Sequence, residues 1–514
     1  MVDGVVERPN QSGINPNVRN LTGLGHPLYT NDECGYRTAI TFYCKKGRTQ
    51  VKRTLAALTA IILMISLFAA CSSGGSNSGG GGTTGGSSSG GGGSSGGGSS
   101  EPITINLWSF TDEIPKMTEK FLELNPDLNV KFNTTIIATT EGAYQPALDQ
   151  ALAAGGSEAP DIYAAEAAFI LKYSQGDASG FAANYADLGL TDDKVKAAGI
   201  AQYTVDIGTK DGQLKALGYQ ATGGAFIYRR SIAKDVFGSD DPDTVKNAIG
   251  PGWQKFFEAA DKLRAKGYAI VSGDGDLWHP IENSSDKGWI VDDKLYIDPK
   301  REQFLDYAKL LKDKDYHNDT RDWEEGWFAD MNGSGPKPVF GFFGPAWLIN
   351  YVMKDHVKDT FGDWAITEPP TGFFWGGTWL LANKDVVKDA KKKEVVAKFI
   401  EWVTLDTSDT GLQYLWANGT MVEGVQGTKD SVASSVVMEK SNGELELLGG
   451  QNMFDIFVPA NANASGKNLT QYDESINLIW RDQVREYSAG NKSREQTIAD
   501  FKQAVKDQLD IDSH

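Results

Sequence analysis

Cysteine is nearly absent from this 514-residue chain. Three occur, Cys34, Cys44 and Cys71, and none lies beyond residue 71. That excludes a disulfide framework and a cysteine-ligated metal site from the long C-terminal part. Basic charge is also in deficit: 50 Lys and Arg face 68 Asp and Glu, for a formal net charge of −18. Phosphate binding needs a Lys/Arg excess, so nucleic acid is not an expected partner. The sequence has no HExxH, no CxxC and no P-loop, and His279, His317 and His356 have no partner at ligand spacing. Metal and cofactor chemistry therefore have no footing in the sequence, and no internal repeat marks a structural array. Apolar runs of spanning length are missing too. Leu55 to Ala70 covers 16 residues, interrupted by Thr59 and Ser66, short of the about 20 that a membrane-spanning helix usually needs.

What is present is unevenly spread. Residues 71–100 hold 15 Gly and 11 Ser, and all 13 Trp lie after residue 100. The folding part is thus residues 101–514, long enough for one large two-lobed unit. Ahead of it come a basic region (Lys45-Lys46-Gly47-Arg48, Lys52-Arg53), the 16-residue apolar run and the small residues Ala69-Ala70. That order describes a secretory signal. It runs into Cys71 as Leu67-Phe68-Ala69-Ala70-Cys71-Ser72, which resembles the bacterial lipobox, with Phe68 in place of the more usual Leu. The resemblance implies cleavage before Cys71 and lipidation of its thiol. Two or three acyl chains hold a protein at a membrane where one would be marginal.

The expected layout is a non-native N-terminal extension over 1–50, a lipoprotein signal over 51–70 with the true start near Val51, and a flexible Gly/Ser tether over 71–100. Residues 1–70 carry a net +4, so the chain from Cys71 onward carries −22. Gly86-Ser87-Ser88-Ser89-Gly90 matches the G-x-S-x-G nucleophile elbow. That motif needs a strand before it and a helix after it, and the tether supplies neither.

Beyond residue 100, strand and helix signals alternate, which predicts an α/β fold with helices on the faces of its sheets. Ile103 to Trp108 alternates apolar and polar, Asn129 to Ile137 and Pro160 to Ala164 read as strands, and Pro115–Leu124 and Ala143–Ala154 read as helices. Further strands are expected at Lys215–Tyr219, Ala225–Tyr228, Lys337–Phe343, Trp364–Ile366 and Thr378–Ala382. Helices are expected at Gly252–Lys266, Val386–Leu405 and Gly411–Trp416, and through most of the chain after Ser431.

Four of these segments together resemble the bacterial extracellular solute-binding proteins of family 1, the cluster that includes the maltodextrin binder. They are Ile105-Asn106-Leu107-Trp108, Leu217-Gly218-Tyr219 leading to Phe226-Ile227-Tyr228-Arg229-Arg230, Gly341 to Trp347, and Trp364–Pro370 followed by Gly372 to Trp379. The resemblance implies a two-lobed periplasmic-binding-protein-like (type II) α/β fold with an interlobe hinge and a central cleft. Lobe 1 is expected at about 101–217 and 373–427, lobe 2 at about 224–368 and 431–514. Crossings then fall near 218–224, 368–373 and 424–431. It further implies a monomeric receptor of an ABC importer, with a carbohydrate ligand and permease transmembrane subunits as partners, and no cofactor.

A sugar offers apolar C–H faces rimmed by hydroxyls, so its binder needs flat aromatic platforms and fixed polar groups at their edges. Several aromatics follow strands, where α/β sheets place ligands. Trp347, after the turn Gly344-Pro345, stands where the family stacks an aromatic on a sugar ring. Trp375 sits in the densest aromatic run, with glycines that let a ligand approach. Glu166 stands alone among alanines after a strand, and Trp278 precedes a helix in the second lobe. Trp108 and Asp112 end and follow the first strand, and Tyr219 with Gln220 lies at the first crossing.

Each residue has a plainer role available: core packing for the Trp and Tyr residues, a helix N-cap for Asp112, a first-turn helix charge for Glu166. Trp323 and Trp327, four apart, read as a helix packing face. Asp274 and Asp276 read as turn residues rather than a calcium loop. A secreted glycoside hydrolase remains an alternative, since it needs only two suitably spaced carboxylates. A non-sugar solute is another.

Overall fold

Two main sheets organise the residues that the computed structural model describes, 101–139 and 142–514. The expected extension, signal, lipidation residue Cys71 and tether all lie outside the described residues.

The first sheet contains β1 (Ile103–Ser109), β2 (Val130–Ile136), β3 (Ile162–Glu166), β4 (Ala216–Gly218) and, from much later in the chain, β8 (Thr378–Ala382). Its order is β2-β1-β3-β8-β4. β1 pairs in parallel with β2 and β3, while β8 runs antiparallel to β3 and β4. The second sheet is antiparallel, with β5 (Ala225–Arg229) between β6 (Gly341–Gly344) and β7 (Trp364–Thr367).

Strand periodicity decides what each face buries, because successive side chains point to opposite sides. Ile162, Ala164, Leu380 and Ala382 enter one core of the first lobe. Their neighbours Tyr163, Ala165, Trp379 and Leu381 enter the other. The second sheet divides likewise. Phe226, Tyr228, Phe343 and Ala365 face one core, and Ala225, Ile227, Phe342, Trp364 and Ile366 face the other. A sheet buried on both faces reads as a near-continuous apolar run, as these strands do.

Helices close the faces. In the first lobe α1 (Glu113–Leu124) buries Ile114, Met117 and Phe121 at helical spacing, and Asn125-Pro126 ends it. α2 spans Tyr144–Ala154. In the second lobe α3 (Trp253–Ala265), α4 (Trp278–Asn283), α5 (Pro299–Asp313) and α6 (Glu325–Met331) precede β6. α7 (Ala390–Thr404) returns to the first lobe, where Phe399 meets Phe121 edge to face at 5.3 Å. α8 (Phe454–Asn463), α9 (Asp473–Ser488) and α10 (Arg494–Leu509) complete the chain.

Two expected elements differ. Of Lys337–Phe343 only the end from Gly341 joins the ladder. Pro338 has no N–H to donate, and residues 338–340 pair with Ala269 instead, through Ala269 N to Pro338 O (3.0 Å) and Phe340 N to Ala269 O (2.7 Å). The expected helix Val386–Leu405 is split. Asp389 accepts hydrogen bonds from the Lys391 and Lys392 amides and so starts α7 at Ala390, after a separate 3₁₀ turn.

The chain passes between the sheets twice in close company, at 219–224 and at 368–377. These segments pair with each other: Gly224 N donates to Phe373 O (2.9 Å) and Trp375 N to Thr222 O (3.1 Å). Thr222 Oγ1 adds a bond to Gly376 O (2.7 Å). Phe373 packs into the second lobe and Phe374 into the first, stacked on Tyr203 at 4.7 Å. A third strand of chain ties in through Ala433 N to Tyr219 O (2.9 Å) and Ser431 Oγ to Ala221 O (2.5 Å).

Gly224 permits the pairing, because a β-carbon there would fall inside the Phe373 ring. Gly224→Ala should therefore destabilise the fold by about 1–3 kcal/mol through overpacking. Thermal unfolding checks this, and an unchanged midpoint would refute it.

Candidate functional site

The second crossing ends in a cluster of indoles, of which Trp323 is exposed and Trp347 and Trp375 are half-buried. Trp375 emerges from it half-buried, packed against two cores of the second lobe. Trp347 follows β6 through the Gly344-Pro345 turn, and its Nε1 donates to Trp375 O at 2.9 Å. The two rings meet edge to face at 4.7 Å. Trp323 lies parallel to Trp347, with centroids 5.9 Å apart and planes within 8°, and stands 6.0 Å from Trp375. His279, the second residue of α4, stacks on Trp375 at 4.5 Å. Gly376, at φ +77°, makes room, because a β-carbon there would lie 3.3 Å from Trp347 Nε1 and 3.8 Å from a Glu166 carboxylate oxygen. Trp347, Trp375 and Glu166 thus meet at one place.

Trp323 corrects the sequence reading. It precedes α6 instead of sharing a helix face with Trp327. It is 52% exposed, whereas Trp327 is core. Its φ of +68° is a conformation that a bulky residue holds only when its surroundings require it. Those surroundings are visible. The Arg481 guanidinium grips Asp322 through both carboxylate oxygens (2.7 and 2.6 Å). Trp327 Nε1 donates to Asp276 (3.2 Å), which the Ser272 and Gly273 amides also fix. Burial pushes Asp276 up to about 7. Burial opposes ionisation of Asp322 as well, but Arg481 and Arg485 hold it below the ordinary carboxylate range.

Two further carboxylates, one in each lobe, have raised pKa values. Glu166 is the last residue of β3, paired across the sheet with Thr378, and accepts from the Ala168 amide (2.8 Å). Burial pushes it up to about 7, against the amides of Ala168 and Ala167. Glu474, in the first turn of α9, is also pushed up to about 7. Desolvation by the surrounding protein is the larger cause and the negative charges of Glu166 and Glu282 follow. Its side chain nonetheless reaches solvent. Glu282, despite burial, is held below its usual range by His279.

Other sequence candidates lie apart from this cluster. Trp278 is 1% exposed, in the second-lobe core, with its ring against Phe304 at 5.1 Å. A leucine closes the short turn before it and α4 turns its ring inward, so its neighbour His279 faces the indoles instead. Tyr219 is fully buried, its hydroxyl on Glu113 and its ring edge-on to Trp416. Asp112 does not cap α1 through its side chain. It is exposed and pairs with Lys116 at 2.5 Å. Trp108 is half-buried against the first-lobe core that contains Tyr144 and Phe169. Sequence reasoning missed Trp323, His279 and Glu474. Trp323 and His279 carry no local signal of exposure, and Glu474 looks like any first-turn acid.

The raised carboxyl of Glu166 has a consequence for stability. Folding lifts it from the ordinary 4.5 to about 7. Its ionised form therefore opposes the folded state, and stability falls as pH climbs from below 4.5 through 7. Glu166→Gln should stabilise the protein at pH 8, by on the order of 1 kcal/mol, and change little at pH 4. Melting curves at both pH values read this, and an equal shift at both would contradict it.

A sequence model described as bacterial extracellular solute-binding protein matches residues 116–438. No curated protein sequence matches the chain. Among solved structures, an extracellular solute-binding protein of family 1 is similar at TM-score 0.65 and 18% identity, covering 79% of this chain and 99% of that one. The galacto-N-biose/lacto-N-biose I-binding protein of an ABC transporter from Bifidobacterium longum is similar at TM-score 0.58 and 14% identity, covering 81% and 100%. So is the sugar-binding protein MalE from Xanthomonas citri, at TM-score 0.58 and 14% identity, covering 79% and 97%. The two-lobed α/β fold is therefore shared with these proteins, and, with the family match spanning more than half of its length, the chain belongs to the bacterial extracellular solute-binding proteins.

Proposed function

We propose that this protein is the receptor of an ABC importer for a carbohydrate, most simply an oligosaccharide. The observation that carries this reading is the group of Trp323, Trp347 and Trp375, with rings 4.7–6.0 Å apart beside Glu166, where the crossings leave the hinge. Indole faces match the C–H faces of a pyranose, and fixed carboxylates accept from its hydroxyls. Two solved relatives are described in complex with saccharides, beta-1,6-galactobiose and lacto-N-biose.

In this reading the segments 101–217 with 373–427, and 224–368 with 431–514, are lobes that rotate about the paired crossings. They close on the sugar, and the closed form docks on permease subunits. The protein acts as a monomer, tethered by lipid at Cys71 to the outer face of the cell membrane. Trp347, Trp375 and Glu166 contact the ligand, joined by Trp323 and His279. Trp108 and Asp112 border the same cleft from the first lobe.

A second reading, glycoside hydrolysis, draws on Glu166 and Glu474, two carboxylates with raised pKa from facing lobes. One experiment separates the two. Purified protein titrated with an oligosaccharide panel should show a tryptophan fluorescence change and no product, and multiple turnovers would overturn the receptor reading. Trp347→Ala should weaken binding by on the order of 1 kcal/mol or more, as for a central aromatic anchor; unchanged affinity in a folded variant removes Trp347 from the site. Cys71→Ser should move the protein from the membrane fraction to the medium, and retention at the membrane would count against the anchor.

A further inference from the structure

The end of the first lobe remote from the crossings carries a cluster of lysines that takes no part in the indole site. β3, β8 and β4 turn Glu166, Thr378 and Gly218 toward the crossings, with Glu166 opposite Thr378 and Gly218 opposite Trp379. Ile162, Ala382 and Ala216 mark the other end of the same strands. There Lys210 Nζ donates to Ser179 Oγ (2.8 Å), Lys384 Nζ to Gly180 O (2.9 Å) and Lys215 Nζ to Ala182 O (3.2 Å). Lys384 also lies over the half-buried Phe181 ring at 5.1 Å. Three ammonium groups thus converge on the short stretch from Ser179 to Ala182.

Among the described residues none of the three lysines forms an ion pair. The acids close by are placed otherwise: Asp385 pairs with Lys388 at 2.5 Å, and Asp187 accepts from Asn184 (3.2 Å). Burial, and then the charges of Lys210 and Lys384, hold Lys215 below the ordinary lysine range against the pull of Asp187. Each ammonium has three N–H donors, and the bonds to the turn use one apiece. The rest are free to meet an anion that would also relieve the mutual repulsion of the three charges.

The route of the chain indicates which anion faces this place. Leu107 of β1 is level with Ile162, so Ile103 lies at the same outer end, and the segment 71–100 enters the fold there. The β2 edge of that end carries the exposed acids Glu101 and Asp127, which confines the basic face to the β8–β4 edge. A basic group beside an aromatic ring suits a phospholipid surface, where charge meets headgroup and the ring meets the acyl boundary.

We propose that Lys210, Lys215 and Lys384 seat the phosphate of an anionic phospholipid, so that the first lobe rests on the membrane by its tether end. The indole cluster, at the other end of β8, then faces away from the bilayer. The proposal rests on the lipid anchor at Cys71, which brings the domain to that surface. The lysines add an orientation, which a flexible Gly/Ser tether cannot supply.

Flotation of the full-length protein with vesicles tests this. One set is phosphatidylcholine alone, the other an equimolar mixture with phosphatidylglycerol. The protein should favour the mixed vesicles, and added salt should weaken that preference. Replacing all three lysines (Lys210→Gln, Lys215→Gln, Lys384→Gln) should lower the preference about tenfold or more, with little change in the melting midpoint. The basic residues of 45–53 are common to both proteins, so the difference between them reads the lysine cluster. Lys384→Gln alone, at an exposed position, should lower the preference about threefold and serves if the triple variant does not fold. An unchanged preference in a folded variant overturns the proposal. Lysine-dependent binding of inorganic phosphate, read by calorimetry, without a preference for mixed vesicles assigns the seat to a free anion and overturns the lipid. The anchor stands or falls separately, on the fractionation of Cys71→Ser.

Discussion

The pairing of residues 222–224 with 373–376 is the contact on which the rest of the arrangement depends. It joins two segments far apart in sequence by backbone hydrogen bonds and by the fit of the Phe373 ring against a glycine. From there the consecutive residues Phe373, Phe374 and Trp375 part company. One anchors the second lobe, the next anchors the first, and the third packs half-buried against the second lobe's cores. A single aromatic run thus serves two cores and one surface. The division follows from strand alternation at the place where the strand passes from one sheet toward the other.

The indole cluster is built outward from that point. Trp375 offers its carbonyl to Trp347, and Gly376 leaves room for Trp347 and Glu166. Trp323 is brought over Trp347 by a strained backbone held between Arg481–Asp322 and Trp327–Asp276. Charges buried beneath the platform are paired or hydrogen-bonded, as interior charges must be. Glu166, at its edge, accepts from the Ala168 amide.

Much of the fold was legible in the sequence. The apolar runs at Ile162–Ala165, Ala225–Tyr228 and Thr378–Ala382 are short strands whose sheets are covered on both faces, so consecutive apolar side chains are buried. Capping explains the helix starts that sequence misplaced: Asp389 delays α7. A missing N–H explains the strand it overextended at Pro338. The site was legible only in part. Trp347, Trp375 and Glu166 follow glycine turns or strand ends and come together. Trp278 has similar surroundings in sequence yet turns inward, because α4 presents that face to the core that holds Trp289 and Phe304. His279, one residue on, takes the outward direction.

The sequence by itself determined the periodicities, and with them which strands are buried on both faces and which helices carry one apolar stripe. It also carried the resemblance to the family whose sequence model matches residues 116–438. Only the tertiary structure decided which tryptophans are platform and which are core. Exposure depends on what packs from the other lobe and on the hand of each turn, not on the neighbours in sequence. The placing of Glu166 is of the same kind. It is an ordinary acid in its own segment, and it stands beside Trp347 only once β3 and the second crossing come together at Gly376.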